Sequence, residues 1–230
     1  GGFSLCGRFD RHRPVGDFIE AVDGLTLDEP ESAPPSYNIA PSQRALIVRG
    51  SELGPVVRAL HWGLVPAWAK TSKMVRPINA RAETVAEKPM FRDAFKVSRC
   101  LVLCDGYYEW QLRPDGSKQP YRLALEGSAP FVMAGLWARN TRFTAEPLET
   151  FCIVTTEASS RCNDIHPRMP VILDREHHQQ WLDRSLQSLS AIVAMLRPYE
   201  KELSVTPVSR IVNSPANNGP QCIAPLQAQS

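Results

Sequence analysis

Apolar residues along this chain fall mostly in short runs, some alternating with polar residues and some wholly apolar, bounded by Gly, Pro, Asp and Ser. That is the pattern of strands packed on one or both faces. The runs predict strands at Ala45 to Arg49, Val56 to His61, Cys100 to Cys104, Tyr107 to Gln111, Tyr121 to Leu125, Phe131 to Trp137 and Phe151 to Thr155. Pro114-Asp115-Gly116 predicts the turn of one hairpin, because Gly supplies a positive φ and Asp bonds its own backbone. Helical spacing is rarer. Val15, Phe18, Ile19 and Val22 stand at i, i+3, i+4 and i+7, with Gly24 where a C-terminal cap belongs, and predict a short first helix. Further helical turns are predicted over Met90 to Phe95, after Asp174 as N-cap ahead of Trp181 and Leu182, and over Leu189, Ile192, Val193 and Leu196 up to Pro198. Strands followed by helices without βαβ alternation predict an α+β single domain on a mixed or mainly antiparallel sheet.

Composition narrows this picture. The 230 residues, 43% of them hydrophobic, suffice for one core, and twenty prolines argue against a helical bundle or a solenoid. The net charge of +2 gives no whole-molecule field. Between Lys70 and Arg99, however, eight basic residues (Lys70, Lys73, Arg76, Arg81, Lys88, Arg92, Lys96, Arg99) face only Glu83, Glu87 and Asp93. Such a run suits a phosphate-binding face, and equally an ordinary solvated surface. Six scattered cysteines do not make a disulfide framework and fit a reducing, cytoplasmic setting. Cys100 and Cys104 are expected as buried small hydrophobes on one strand face, and adjacent His177 and His178 as one exposed helix turn. No metal, cofactor or membrane segment is expected, and the chain is expected to be a monomer.

Four stretches place reactive side chains among apolar neighbours. In Cys6-Gly7-Arg8-Phe9 an adjacent cation would lower the thiol's pKa, the alternative being an ordinary buried cysteine. In Ile78 to Thr84, Asn79, Arg81 and Glu83 would share one face of an extended chain, to hold a reacting group and anchor a phosphate, or else Arg81 and Glu83 form a surface pair. In Asp105 to Trp110, Glu109 sits between aromatic residues. Turned inward it would have its pKa raised toward neutrality; turned outward it is a solvated strand residue. In Asn163 to Pro170 two prolines fix a loop carrying His166 and Arg168, the histidine being a proton shuttle or a structural residue.

Taken in order, these stretches, together with Tyr37 to Pro41, His61 to Trp68 and Pro207 to Arg210, resemble the SOS response-associated peptidase (SRAP) family over nearly the whole chain. The resemblance implies a barrel-like sheet flanked by short helices, spanning residues 6–226. It also implies a sensor that binds single-stranded DNA and forms a covalent crosslink with the open aldehyde of an abasic site. By that carry-over Cys6 is the crosslinking residue, Asn79 positions its amine or the sugar, and Glu109 and His166 move protons. Arg8, Arg81 and Arg168 are phosphate ligands, and Trp68 with Met90 and Phe91 stacks on or wedges against bases. Tyr37 and Asn38 line the pocket or pack beneath it. The family also implies autocatalytic or aminopeptidase removal of whatever precedes the cysteine, which frees its α-amine. Here Leu5 precedes Cys6, and Gly1 to Leu5 read as a tag remnant or an upstream leader. The competing reading is a cysteine-dependent peptidase or amidohydrolase, with Cys6 as nucleophile and His166 as base.

Overall fold

The computed structural model describes residues 6–27, 33–185 and 188–227, so the reading of Gly1 to Leu5 lies outside the described residues. Strands dominate. In chain order they are β1 (Phe9–Arg11), β2 (Ser36–Ile39), β3 (Arg44–Ser51), β4 (Gly54–Trp62), β5 (Asn79–Arg81) and β6 (Arg99–Cys104). There follow β7 (Gly106–Leu112), β8 (Lys118–Leu125), β9 (Phe131–Asn140), β10 (Leu148–Glu157), β11 (Arg168–Pro170) and β12 (Leu203–Pro207). The α-helices are short: α1 (Arg92–Val97), α2 (His178–Leu182) and α3 (Leu189–Val193).

One sheet runs β12-β8-β7-β1-β2, all antiparallel. In the other, antiparallel pairings link β4, β3, β6, β9 and β10 in turn, and β10 returns to β4 in parallel, so the pairings close a ring. β10 is the longest-reaching member. Along one edge it pairs first with β4 and then with β5, both parallel, and along the other with β9 and then β11. The expected α+β, mainly antiparallel sheet is therefore the one observed, with the parallel pairs among the described residues confined to β10.

From Cys100 on, β6 is wholly apolar, and this explains the layering. A strand buried on both faces has no polar side to show. Leu101 and Leu103 point into a core closed by Phe18, Val22, Phe95, Trp181 and Ile192, on the helical side. Cys100, Val102 and Cys104 point into a second core shared with the five-stranded sheet through Phe9, Tyr107 and Leu123. The two cysteines thus share a face as expected. Gly135 marks the tightest point, where β9 pairs with both β6 and β10. A Cβ there would stand 2.9 Å from the Cys100 sulfur and 3.0 Å from the Cys152 carbonyl.

Several expectations need correction. The first helix is only a 3-10 turn, Val15–Phe18, because eight residues with a glycine inside cannot offset helix nucleation; Phe18 and Val22 are buried all the same, and Gly24 does take a positive φ of 73°. Asp174 holds the N-cap position but makes no capping bond; its carboxylate pairs with Lys201 at 2.9 Å. His178 is not on an exposed turn. It is buried, with one ring nitrogen 3.0 Å from the Leu173 carbonyl and the other accepting from Asp23 N–H. Arg99 leaves the basic face altogether and caps the carbonyls of Phe95, Lys96, Trp181 and Asp183 from inside the core. The Asp115-Gly116 hairpin forms as expected between β7 and β8, with Gly116 at φ 81°.

Replacing Gly135 with Ala is expected to destabilise the fold by about 1–3 kcal/mol, the usual cost of overpacking. The Cβ would meet a backbone carbonyl that has nowhere to move. Equilibrium denaturation checks this, and an unchanged midpoint would show that β9 can shift.

A cysteine and carboxyl site between the two sheets

Cys6 leads into β1, and Glu109 lies on β7, the strand beside it. Along β7 the side chains alternate: Tyr108 and Trp110 pack with Val208, Val212 and Cys222, so Tyr107 and Glu109 face the other way, toward the core between the sheets. Glu109 is therefore turned inward, 3% exposed, and the backbone N–H of Cys6 donates to its Oε1 at 2.8 Å. Burial pushes the carboxyl up to about 8, against the opposing pull of the Cys6 and Trp110 amides. Glu109 is an acid at neutral pH. Cys6 itself is fully buried with φ 35°, a left-handed conformation uncommon for a residue with a Cβ.

The thiol departs from expectation. Burial first, and the Glu109 carboxyl second, raise the Cys6 pKa well above the ordinary value. Arg8, the expected activating cation, is turned away: its guanidinium donates to Asn38 Oδ1, to the Val212 carbonyl and to the Asn213 carbonyl at 2.7–3.1 Å, and lies over Trp110. Asn38 in turn donates to the carbonyls of Val212, Ser214 and Asn217. Arg8 and Asn38 thus tie the C-terminal segment beneath β1 and β2.

Asn79 begins β5, which β10 holds in parallel at Ile153, and its Nδ2 is buried without a partner among the described residues. An amide left open in this way is an expensive donor unless something comes to accept from it. His166 Nδ1 lies 3.1 Å from the Arg168 N–H and 3.3 Å from the Arg168 carbonyl, accepting from the one or donating to the other according to the tautomer; burial lowers its pKa, which favours the neutral ring. Its neighbours Cys162 and Met169 belong to the Cys6 core, and Ile78 beside Asn79 packs on it. No hydrogen bond joins Asn79 or His166 to Cys6 or Glu109 among the described residues.

Arg168 is buried on β11, its guanidinium forked onto both Glu83 oxygens at 2.5 and 2.9 Å and bonded to Thr155. The Arg168 hydrogen bonds hold the Glu83 carboxyl below its usual range. Arg81, by contrast, is 63% exposed and only 3.8 Å from Glu83. Lys70, Lys73, Arg76, Lys88, Arg92 and Lys96 are exposed as well. Trp68 is 45% exposed and, with Met90, Val97, Trp137, Arg139 and Arg142, borders a groove of about 420 Å³. Phe91, at 7% exposed, packs into the helical core instead.

Sequence reasoning missed Tyr107, which the i, i+2 relation to Glu109 places on the same face, and Thr155, which holds Arg168. It also missed the Asp10, His12 and Asp105 cluster, whose ligand atoms lie within 4.8 Å of one another. Asp10 is paired with Arg122 at 2.8 Å and Asp105 with Arg13 at 2.8 Å, so arginines already balance this cluster's charge.

A two-sheet α+β domain with a cysteine at the head of its first strand, its nitrogen held by a buried carboxyl, is the class of protein this site defines. The sequence model of the SOS response associated peptidase (SRAP) family matches residues 5–215, and the chain belongs to that family. The chain is 38% identical over 221 residues to the Bacillus subtilis protein named abasic site processing protein YoaM, covering 95% of this chain and 97% of that one. It is 29% identical to abasic site processing protein YedK of Escherichia coli, covering 96% and 100%. A crystal structure of a Bacteroides thetaiotaomicron protein superposes with a TM-score of 0.82 at 26% identity, over 96% of this chain and all of that one.

Glu109 makes stability depend on pH with a definite sign. Between its ordinary value of 4.5 and about 8 the unfolded chain releases a proton that the folded chain keeps, so stability falls as pH rises through this window and levels off above it. Glu109→Gln is expected to gain stability relative to the wild type on going from pH 5 to pH 9, measured by denaturant midpoints. Parallel pH dependence of the two proteins would mean that Glu109 is ionised in the fold.

Proposed function

We propose that this chain is an abasic-site processing protein that captures the open aldehyde of an abasic site in single-stranded DNA through Cys6. The observation that carries the reading is the 2.8 Å contact between the Cys6 nitrogen and the buried carboxyl of Glu109. Once whatever precedes Cys6 has been removed, by the protein itself or by an aminopeptidase, that nitrogen is a primary amine next to a β-thiol. The amine adds to the aldehyde carbon. The resulting carbinolamine then loses water, and Glu109, whose burial favours the protonated form, supplies the proton that the leaving hydroxyl needs. The thiol adds to the imine carbon, and a five-membered thiazolidine closes at the high effective concentration of an intramolecular reaction.

The remaining residues take supporting roles in this reading. Asn79 offers its open amide to the sugar, and the neutral His166 ring exchanges a proton through Nε2 with the oxygen released on ring opening. Phosphates meet the exposed cations around Arg81, and a base rests in the groove beside Trp68 and Met90. The names of the relatives support the substrate. The cysteine-hydrolase reading loses ground on one observation: Nδ1 of His166 is engaged with the Arg168 backbone rather than with the thiol.

A denaturing gel with abasic single-stranded DNA tests this directly. The chain beginning at Cys6 is expected to give a heat-stable adduct, Cys6→Ala none, and the chain with residues 1–5 attached none until they are removed, because an amide nitrogen cannot form an imine. Equal crosslinking before and after removal would make the α-amine dispensable and bring the hydrolase reading forward. Arg81→Ala is expected to weaken noncovalent DNA binding and to reduce its salt slope by about one. An unchanged slope would make Arg81 structural.

A further inference from the structure

Ring closure asks for something that the residues named so far do not provide. The Cys6 sulfur must become a thiolate, or close to one, in a site where burial and Glu109 both oppose the charge. The neighbouring cation, Arg8, is committed to Asn38 and the C-terminal segment. Among the buried aliphatic and aromatic residues of the core that holds Cys6, two carry an N–H or O–H side-chain donor of nitrogen or oxygen: Trp62 and Tyr107. Trp62 donates to the Ile78 carbonyl at 3.0 Å. The Tyr107 hydroxyl is buried and has no nitrogen or oxygen partner among the described residues, only the Cys162 thiol beside it.

A buried hydroxyl with no better partner than a thiol is hard to explain as packing. Phe would fill the same space without stranding a polar group, so Tyr at this position is costly unless the O–H acts on something. Its surroundings say on what. Tyr107 faces Phe9 across the β1 and β7 pair, three residues along from Cys6, and shares its strand face with Glu109. The Cys162 thiol is a weak sulfur partner beside its hydroxyl, and Cys6 and Glu109 are near enough to act on it when they ionise. Burial first, and then those three groups, raise its pKa well above the ordinary value, so it is a neutral donor at every working pH.

We infer that Tyr107 is the positioning residue for the Cys6 sulfur, its O–H turning to donate a hydrogen bond to that sulfur as the thiazolidine ring closes. The inference rests on the crosslinking reading above. In the step itself the S–H bond breaks, the S–C bond forms, and the π pair of the C=N bond returns to nitrogen. The thiol's proton ends on that nitrogen, and Tyr107 keeps its own proton throughout. A donor to a charged acceptor in a dry site is among the stronger hydrogen bonds, so its loss should be felt in this step above the others.

The test compares the wild type and Tyr107→Phe, both beginning at Cys6, on abasic single-stranded DNA. Two rates are followed across pH: imine formation, trapped with cyanoborohydride, and appearance of the heat-stable ring adduct without reductant. Thermal unfolding is measured alongside. Tyr107→Phe is expected to be at least as stable as the wild type and to form imine at the same rate. Its ring closure should be slower by roughly tenfold at pH 7, with the gap narrowing as rising pH generates thiolate unaided. Equal closure rates and pH profiles would overturn the inference while leaving the crosslinking reading intact. Loss of stability, imine formation and closure together would overturn it in favour of a structural role. A wild type that forms no adduct would overturn the crosslinking reading, and the inference with it.

Discussion

The contact between the Cys6 nitrogen and the Glu109 carboxyl is the constraint on which the rest of the site depends. A carboxyl buried between two sheets is tolerated only if it stays protonated or is met by donors, and this one is met by the Cys6 N–H while its pKa rises to about 8. The same burial that makes Glu109 an acid at neutral pH holds the Cys6 thiol neutral. The two reactive atoms of Cys6 are therefore unequal: the nitrogen has a proton-transfer group at hand, while the sulfur sits in surroundings that oppose its charge. The proposed chemistry, led by the nitrogen and completed by the sulfur, matches this asymmetry. A hydrolase, led by a thiolate, would need the opposite arrangement.

The fold supplies this contact by joining two sheets through one shared core. β1 carries the cysteine to the edge of that core, and β7 beside it turns Tyr107 and Glu109 inward as a pair. From the other sheet, β10 brings in β5 and β11, the strands that start at Asn79 and Arg168. Arginines divide in the same way. Arg8, Arg99 and Arg168 are engaged with carbonyls or carboxylates and hold segments in place, whereas Arg81 and the lysines near it stay in solvent. The division separates the charges that build the site from those free to meet a polyanion.

The long strands were legible because a run such as Cys100 to Cys104 has no polar face and, at five residues ended by Asp105-Gly106, is too short for a buried helix. β1, β5 and β11 were not, since three residues are too few to show an alternation, yet these are the strands that carry or flank the reactive groups. Glu109 could be read as either inward or outward; the register of β7 against β1 and β8 decides it. Arg8 shows the limit of reasoning from neighbours in sequence: two residues from Cys6, it reaches Val212 and Asn213 instead, through a chain reversal that no local pattern announces. Phe91 and Arg99 err in the same direction, since a wedge and a basic-face residue in the sequence are core groups in the fold.

The central claim is that both the nitrogen and the sulfur of Cys6 end on the same sugar carbon. Mass spectrometry of the adduct decides it: the chain beginning at Cys6 is reacted with abasic single-stranded DNA without reductant, unfolded, treated with a thiol-alkylating reagent, and digested. The account predicts an N-terminal peptide carrying the sugar remnant less one water, with Cys6 refusing alkylation while the other five cysteines accept it. An adduct whose Cys6 thiol is alkylated, or one that maps to a different residue, would contradict it.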